Sequence, residues 1–192
     1  MAQYFAHVGI QFFGFDQRGF GKSGSKAGDL GDNGGVDNVV KDIAAMNRLA
    51  MIDGVKHFMF GISMGGMHVL NYCLVHNQDG HIAGIISDAP ALENSGLLVP
   101  SDEETLFNNQ AIVEQWERDD LCLNYSTLGT LVDMYTVGPR ITARASDFIT
   151  PFFAGLPDSL DKKLKIIENC PFHLELADEY TQWILSRVER DS

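Results

Sequence analysis

Ser63 stands in the pentapeptide Gly61-Ile62-Ser63-Met64-Gly65, with a further glycine at Gly66. An apolar, β-rich run, Lys56 to Gly61 (KHFMFG), precedes it, and a run of helical character, Met64 to His76, follows it. Small residues two before and two after a serine let the chain turn sharply between a strand and a helix, which lifts the hydroxyl clear of the sheet edge. The helix that begins beneath it offers N–H groups without intrahelical partners and the positive end of its dipole. The backbone N–H of Met64 is then the candidate donor to an oxyanion forming on a carbonyl attacked by Ser63. The chemistry is acyl transfer through a serine nucleophile. A chain with 19 glycines also produces this pentapeptide by chance, and its place between a strand and a helix is what argues for chemistry.

Such a serine needs a base, and the base needs an orienting acid. Where a serine sits on this kind of turn, the acid and then the histidine follow it along the chain. The histidines are His7, His57, His68, His76, His81 and His173. His57 and His81 fall at strand starts, the wrong end of a sheet for the nucleophile. His68 and His76 belong to the helix after Ser63 and read as packing or surface residues. Only His173 lies after the last strand candidate and downstream of a suitable acid, so it is the candidate base. Asp158, in Gly155-Leu156-Pro157-Asp158 just past the strand candidate TPFFAG, is the candidate acid. Asp161 is the alternative.

A second glycine-rich stretch, Asp16-Gln17-Arg18-Gly19-Phe20-Gly21-Lys22-Ser23, follows an earlier β-rich run. It reads as a structural loop at the carboxyl end of a strand, pinned by an ion pair between Asp16 and Arg18.

The elements that must position these residues alternate. Gly9 to Phe15 reads as a strand. Val36, Val39, Val40, Ile43, Met46 and Ala50 follow helical spacing. His81 to Ser87, Thr150 to Gly155 and Leu164 to Glu168 are further strand candidates. Leu176, Tyr180, Trp183, Ile184 and Val188 mark a final amphipathic helix. The fold class is therefore α/β, a mostly parallel sheet with helices on both faces. Residues 97–147 are largely helical in pattern and read as a cap inserted between two parts of one core, 1–96 and 148–192. Apolar residues of that cap (Leu97, Leu98, Leu106, Phe107, Ile112, Trp116, Leu128, Leu131 and Met134) are candidates for lining an acyl pocket or for plain helix packing.

The 192 residues suffice for one domain, and 45% hydrophobic with 21% charged is ordinary globular composition. A net charge of −12 and a pI near 4.7 argue against nucleic-acid partners and say nothing against a neutral substrate. Cys73, Cys122 and Cys170 are scattered and odd in number, which reads as free thiols in a reducing compartment and a cytoplasmic setting. The first residues carry no basic n-region and no cleavage site, and no apolar run reaches bilayer length, which leaves peripheral contact with membranes as the one expected lipid association.

DQRGFGKS, GISMGG, SDAPAL, GLPD and NCPFHLEL, in this order, resemble the monoacylglycerol lipases and lysophospholipase-like serine hydrolases of the α/β-hydrolase superfamily. The resemblance is tightest over 9–95, looser over 150–185 and weak through the cap. It implies an α/β-hydrolase fold with Ser63 as nucleophile, Asp158 as acid, His173 as base and Met64 as the elbow donor of the oxyanion hole. It implies no cofactor and no metal, and a lipid ester as substrate. Two pieces of the family pattern are missing. The first strands, with the His-Gly loop that supplies a second oxyanion donor, have no counterpart. Asp158 and His173 stand only 15 positions apart, short for the crossover the family places there. The expectation is a shortened gene product, or an imperfectly predicted one. The readings carried forward are a serine ester hydrolase, a catalytically impaired hydrolase-like protein, and a peptidase or thioesterase on the same scaffold.

Overall fold

A computed structural model describes residues 1–24, 28–75, 81–92, 110–123, 126–142 and 177–188. The expected strands at 150–155 and 164–168 lie outside them, as do Asp158, Asp161, Cys170 and His173.

The centre is a pair of parallel strands, β1 (His57–Ile62) and β2 (Ile82–Asp88), joined through helix α3 (Met64–Val75). Parallel strands need such a crossover, and the apolar run of each strand suits a sheet covered on both sides. Met59 faces Ile85 across the ladder, Phe58 faces Gly84, and Ile62 faces Asp88. Side chains alternate across a strand, so these pairs divide between two faces.

On one face Met59 packs with Val39, Val40 and Ile43 of α2 (Val36–Ala50) and with Val69 and Tyr72 of α3. The helix over 36–50 agrees with the spacing of its apolar residues. On the other face lies the last helix. In chain order it follows α1 (Ala2–His7), α2, α3, α4 (Gln110–Glu117) and α5 (Leu128–Thr142), and is α6 (Ala177–Val188). Trp183 of α6 meets Phe58 edge-on at 5.8 Å, and Tyr180 meets Phe60 at 5.5 Å. Below them Lys56 Nζ donates to the Arg187 carbonyl at 2.5 Å, and the Arg187 guanidinium lies 3.9 Å above the Trp183 ring. Helices thus cover both faces of the sheet, as the fold class requires.

Residues 97–147 contribute α4 and α5 to the described structure. Helix α5 packs directly on the helix that follows Ser63: Val137 and Ile141 join Met67, Leu70 and Leu92 in a second core cluster, with Met134 against it. At its start, Thr130 Oγ1 donates to the Gly31 carbonyl and accepts from the Asn33 N–H, both at 2.8 Å. Of the residues offered for an acyl pocket, Met134 therefore packs into the core, and Leu128 is 76% exposed.

Two expectations are corrected. Gly9 to Phe15 is not a strand. Gly9, at φ +82°, closes α1: its N–H bonds Ala6 O and the next N–H, of Ile10, bonds Phe5 O. Those two bonds are a Schellman ending, for which a left-handed glycine is suited. Phe12 then stacks on Phe5 at 5.8 Å, and Phe13 and Phe15 are exposed. β-rich composition makes a strand only when another strand takes its hydrogen bonds, and none among the described residues does. Nor does Arg18 pair with Asp16. Arg18 makes a two-point ion pair with Asp42 of α2, at 2.5 and 2.6 Å, because a carboxylate facing the guanidinium fork matches two parallel N–H groups. Asp16 instead holds its own turn, accepting the Lys22 N–H at 2.8 Å, while its carbonyl accepts the Ser23 hydroxyl at 2.6 Å.

A Cβ at Gly84 would lie 2.6 Å from Trp183 Cη2 and 3.1 Å from Phe58 Cδ1. The Trp183 ring is held between Phe58 and Arg187, so it has little freedom to yield. Gly84→Val is expected to lower stability by about 1–3 kcal/mol through overpacking, read as a lower urea midpoint with an unchanged slope.

Candidate active site

β1 ends at Ile62 and α3 begins at Met64, leaving Ser63 alone on the turn. Its φ is +53°, a left-handed conformation that costs an L-residue roughly 1–2 kcal/mol. Two glycines give the turn its room, while a Cβ on Gly65 would meet nothing within 4 Å. A Cβ on Gly61 would collide with the Gly65 carbonyl and come within 2.8 Å of Gly66 N. A Cβ on Gly66 would stand 3.0 Å from both the Asp88 carbonyl and Ser87 Oγ. Met64 is the first residue of α3, so its N–H has no helical carbonyl to bond. That is the geometry expected of an oxyanion donor beside the serine.

The Ser63 backbone is clamped from the end of β2. Its N–H donates to the Asp88 carbonyl at 2.9 Å. Its carbonyl accepts from Met67 N at 3.0 Å and from Ala91 N at 3.1 Å. Within the clamp, Ala89 has φ +40°. Ser87 Oγ adds a bond to the Gly66 carbonyl at 3.0 Å. Ser63 is half-buried and so accessible from outside. The clamping residues belong to SDAPAL, and their role escaped the sequence reading. The available signal was a polar Ser-Asp pair ending an otherwise apolar strand.

The candidate acids Asp158 and Asp161 and the candidate base His173 lie outside the described residues, so the geometry of a triad is not part of the described site. His76 also lies outside the described residues, while His57, His81 and His68 have structural places. His57 opens β1, its Nε2 accepting the Ile52 N–H at 2.9 Å, and His81 stands before β2, 3.3 Å from the Tyr72 hydroxyl. Both are at the end of the strands opposite Ser63. His68 of α3 is 3% exposed, and neither ring nitrogen has a hydrogen-bond partner. Burial pushes its pKa down to about 4, because a charged imidazolium loses its hydration there. It is a neutral core residue.

Burial likewise pushes the Cys73 thiol up to about 12, and burial with the neighbouring Asp119 raises that of Cys122. Both are free, and neither has the lowered pKa of a reactive thiol. Among the described residues no group of three His, Cys, Asp or Glu side chains could hold a metal, and no helix is long and apolar enough to cross a membrane.

The family model described as serine aminopeptidase, S33, matches residues 1–102, a span that includes the Ser63 turn and its clamp. The chain belongs to this family of α/β-hydrolases. Over 232 aligned positions this α/β-hydrolase is 30% identical to an "uncharacterized abhydrolase domain-containing protein" of Dictyostelium discoideum, covering 96% of the chain and 24% of the relative. It is 26% identical over 167 positions to a "Putative monoglyceride lipase" of Schizosaccharomyces pombe, covering 74% of the chain and 44% of that relative. The chain therefore spans less than half the length of either. The first alignment is longer than the chain, 232 positions against 192 residues, so at least 40 positions of the relative face gaps. No solved structure matches the chain.

His68 sets a pH dependence on the stability of this α/β-hydrolase. Its folded pKa of about 4 lies below the ordinary value near 6.5. Between those values the unfolded chain binds the proton and the folded chain does not, so stability falls as pH drops from about 6.5 toward 4. The loss is on the order of 3 kcal/mol at most. Urea unfolding at a series of pH values should show this decline in the wild type and a flatter one in His68→Leu.

Proposed function

We propose that this chain is a serine hydrolase acting on carboxylic esters of lipids, of the monoacylglycerol or lysophospholipid type. The observation that carries the reading is Ser63, alone at φ +53° between β1 and α3, with the N-terminus of α3 beneath it. Ser63 Oγ attacks the ester carbonyl while His173 takes its proton. The Met64 N–H stabilises the negative oxygen of the tetrahedral intermediate. The intermediate collapses, the C–O bond to the alcohol breaks, and His173 returns the proton to the leaving alkoxide. Water, deprotonated by His173, then attacks the acyl carbon; the bond to Ser63 Oγ breaks, His173 returns the proton to that oxygen, and the fatty acid leaves. Asp158 orients the imidazole, with Asp161 as the alternative in that role. One backbone donor to the oxyanion is worth on the order of 10²–10³ in rate, so a site with Met64 alone still turns over measurably.

Support for the lipid-ester substrate comes from the Schizosaccharomyces pombe relative, whose description is "Putative monoglyceride lipase". A second reading, hydrolysis of an N-terminal peptide bond, draws on the family's description as a serine aminopeptidase. The two differ in the bond cleaved and share Ser63.

Turnover of a monoacylglycerol and of an aminoacyl anilide by the purified chain separates them. The proposal expects release of fatty acid and glycerol, little anilide cleavage, and a loss of about 10⁴-fold or more in Ser63→Ala. Anilide cleavage with inert monoacylglycerol would favour the peptidase reading. A folded chain inert toward both would leave a hydrolase-like protein without catalysis.

A further inference from the structure

Asp88 is the last residue of β2 and only 8% exposed. Its backbone carbonyl accepts the Ser63 N–H at 2.9 Å. Its carboxylate points to the opposite side of the sheet from α3, toward α6, where Oδ2 accepts the Tyr180 hydroxyl at 2.8 Å. One residue thus holds the nucleophile's backbone with its main chain and the last helix with its side chain. A carboxylate this buried is costly without donors, so the strand end and the helix start are tied to one arrangement.

The tie is reinforced on both sides. The Tyr180 ring rests against Phe60, two residues before the end of β1. The far end of α6 is fixed by Trp183 against Phe58 and by the Lys56 bond to Arg187. On the serine side, the residue after Asp88, Ala89, holds φ +40° and Ser63 holds φ +53°. Non-glycine residues keep such conformations only where surrounding contacts over-determine them. Slack at Asp88 would be felt first at these two positions.

We propose that Asp88 and Tyr180 are positioning residues: their hydrogen bond registers α6 against the Ser63 turn and so holds the serine in place. The inference rests on the proposed hydrolysis at Ser63 for its catalytic meaning and on the described geometry for its structural one. Neither residue touches substrate. Tyr180→Phe keeps the ring on Phe60 and removes only the donor.

Amide hydrogen exchange at Ser63 reads the structural half without reference to activity. In Tyr180→Phe the Ser63 N–H is expected to exchange about tenfold faster, with Leu70 in the body of α3 unchanged. In the same variant kcat for monoacylglycerol is expected to fall about tenfold with KM within about twofold. Asp88→Asn, which keeps an oxygen to accept the Tyr180 hydroxyl, should hold Ser63 protection better than Asp88→Leu. Unchanged Ser63 exchange in folded Tyr180→Phe overturns the inference, and so does faster Ser63 exchange with kcat unaffected. Should Tyr180→Phe fail to fold, equal Ser63 exchange in Asp88→Asn and Asp88→Leu overturns it instead. A wild-type chain that fails to turn over while Tyr180→Phe still loosens Ser63 sinks the hydrolysis reading and the positioning role in catalysis, and leaves the coupling standing.

Discussion

The carbonyl of Gly65 lies where a side chain at position 61 would have to sit. That crossing of two backbone segments is what permits β1 to end, Ser63 to turn and α3 to begin within three residues. Without it the helix could not start under the serine, and the Met64 N–H would not stand beside the hydroxyl. The remaining structure either pays into this turn or is set by it. Ser63 is held from the next strand through Asp88 and Ala91, and α3 is held from behind by Met67 and Leu70 against α5. The strained φ at Ser63 survives because these contacts leave it no other place to go.

The two faces of the sheet have different duties around the turn. On the α2 and α3 side, packing is apolar and dense, and the buried His68 is held neutral there. On the α6 side, aromatic rings pack against Phe58, Phe60 and Gly84, and a buried carboxylate is joined to a phenol. Helix α5, placed by the sequence reading in an inserted cap, is a packing partner of the helix that follows Ser63 and also anchors the loop at Gly31 to Asn33. The chain's shortness relative to its relatives is partly internal, since at least 40 aligned positions of one relative face gaps.

Much of this was legible locally. Helix α2 follows from the spacing of Val36, Val39, Val40 and Ile43, and β1, α3 and β2 lie within a residue or two of their sequence-based bounds. The Ser63 turn was legible because its requirements are met by neighbours two residues away on each side. Gly9 to Phe15 misled because composition does not reveal whether a glycine caps a helix or opens a strand, and the bonds from Gly9 and Ile10 back into α1 decide it. The partner of Arg18 was misread because a carboxylate two residues away in sequence competes with one 24 positions away that faces the guanidinium squarely. The Tyr180–Asp88 bond joins residues 92 positions apart, and neither residue type advertises the other. The candidate site was legible at the Ser63 turn, where the constraint is steric and local, and illegible at the supports, where it depends on how the chain returns.

The central claim is that the Ser63 turn makes an activated nucleophile. Reaction of the purified 192-residue chain with a fluorophosphonate, followed by mass mapping of the adduct, tests it most directly. The account predicts a single adduct on the peptide containing Ser63 and none in Ser63→Ala. A folded wild-type chain that takes up no probe, or an adduct that persists in Ser63→Ala, would contradict it.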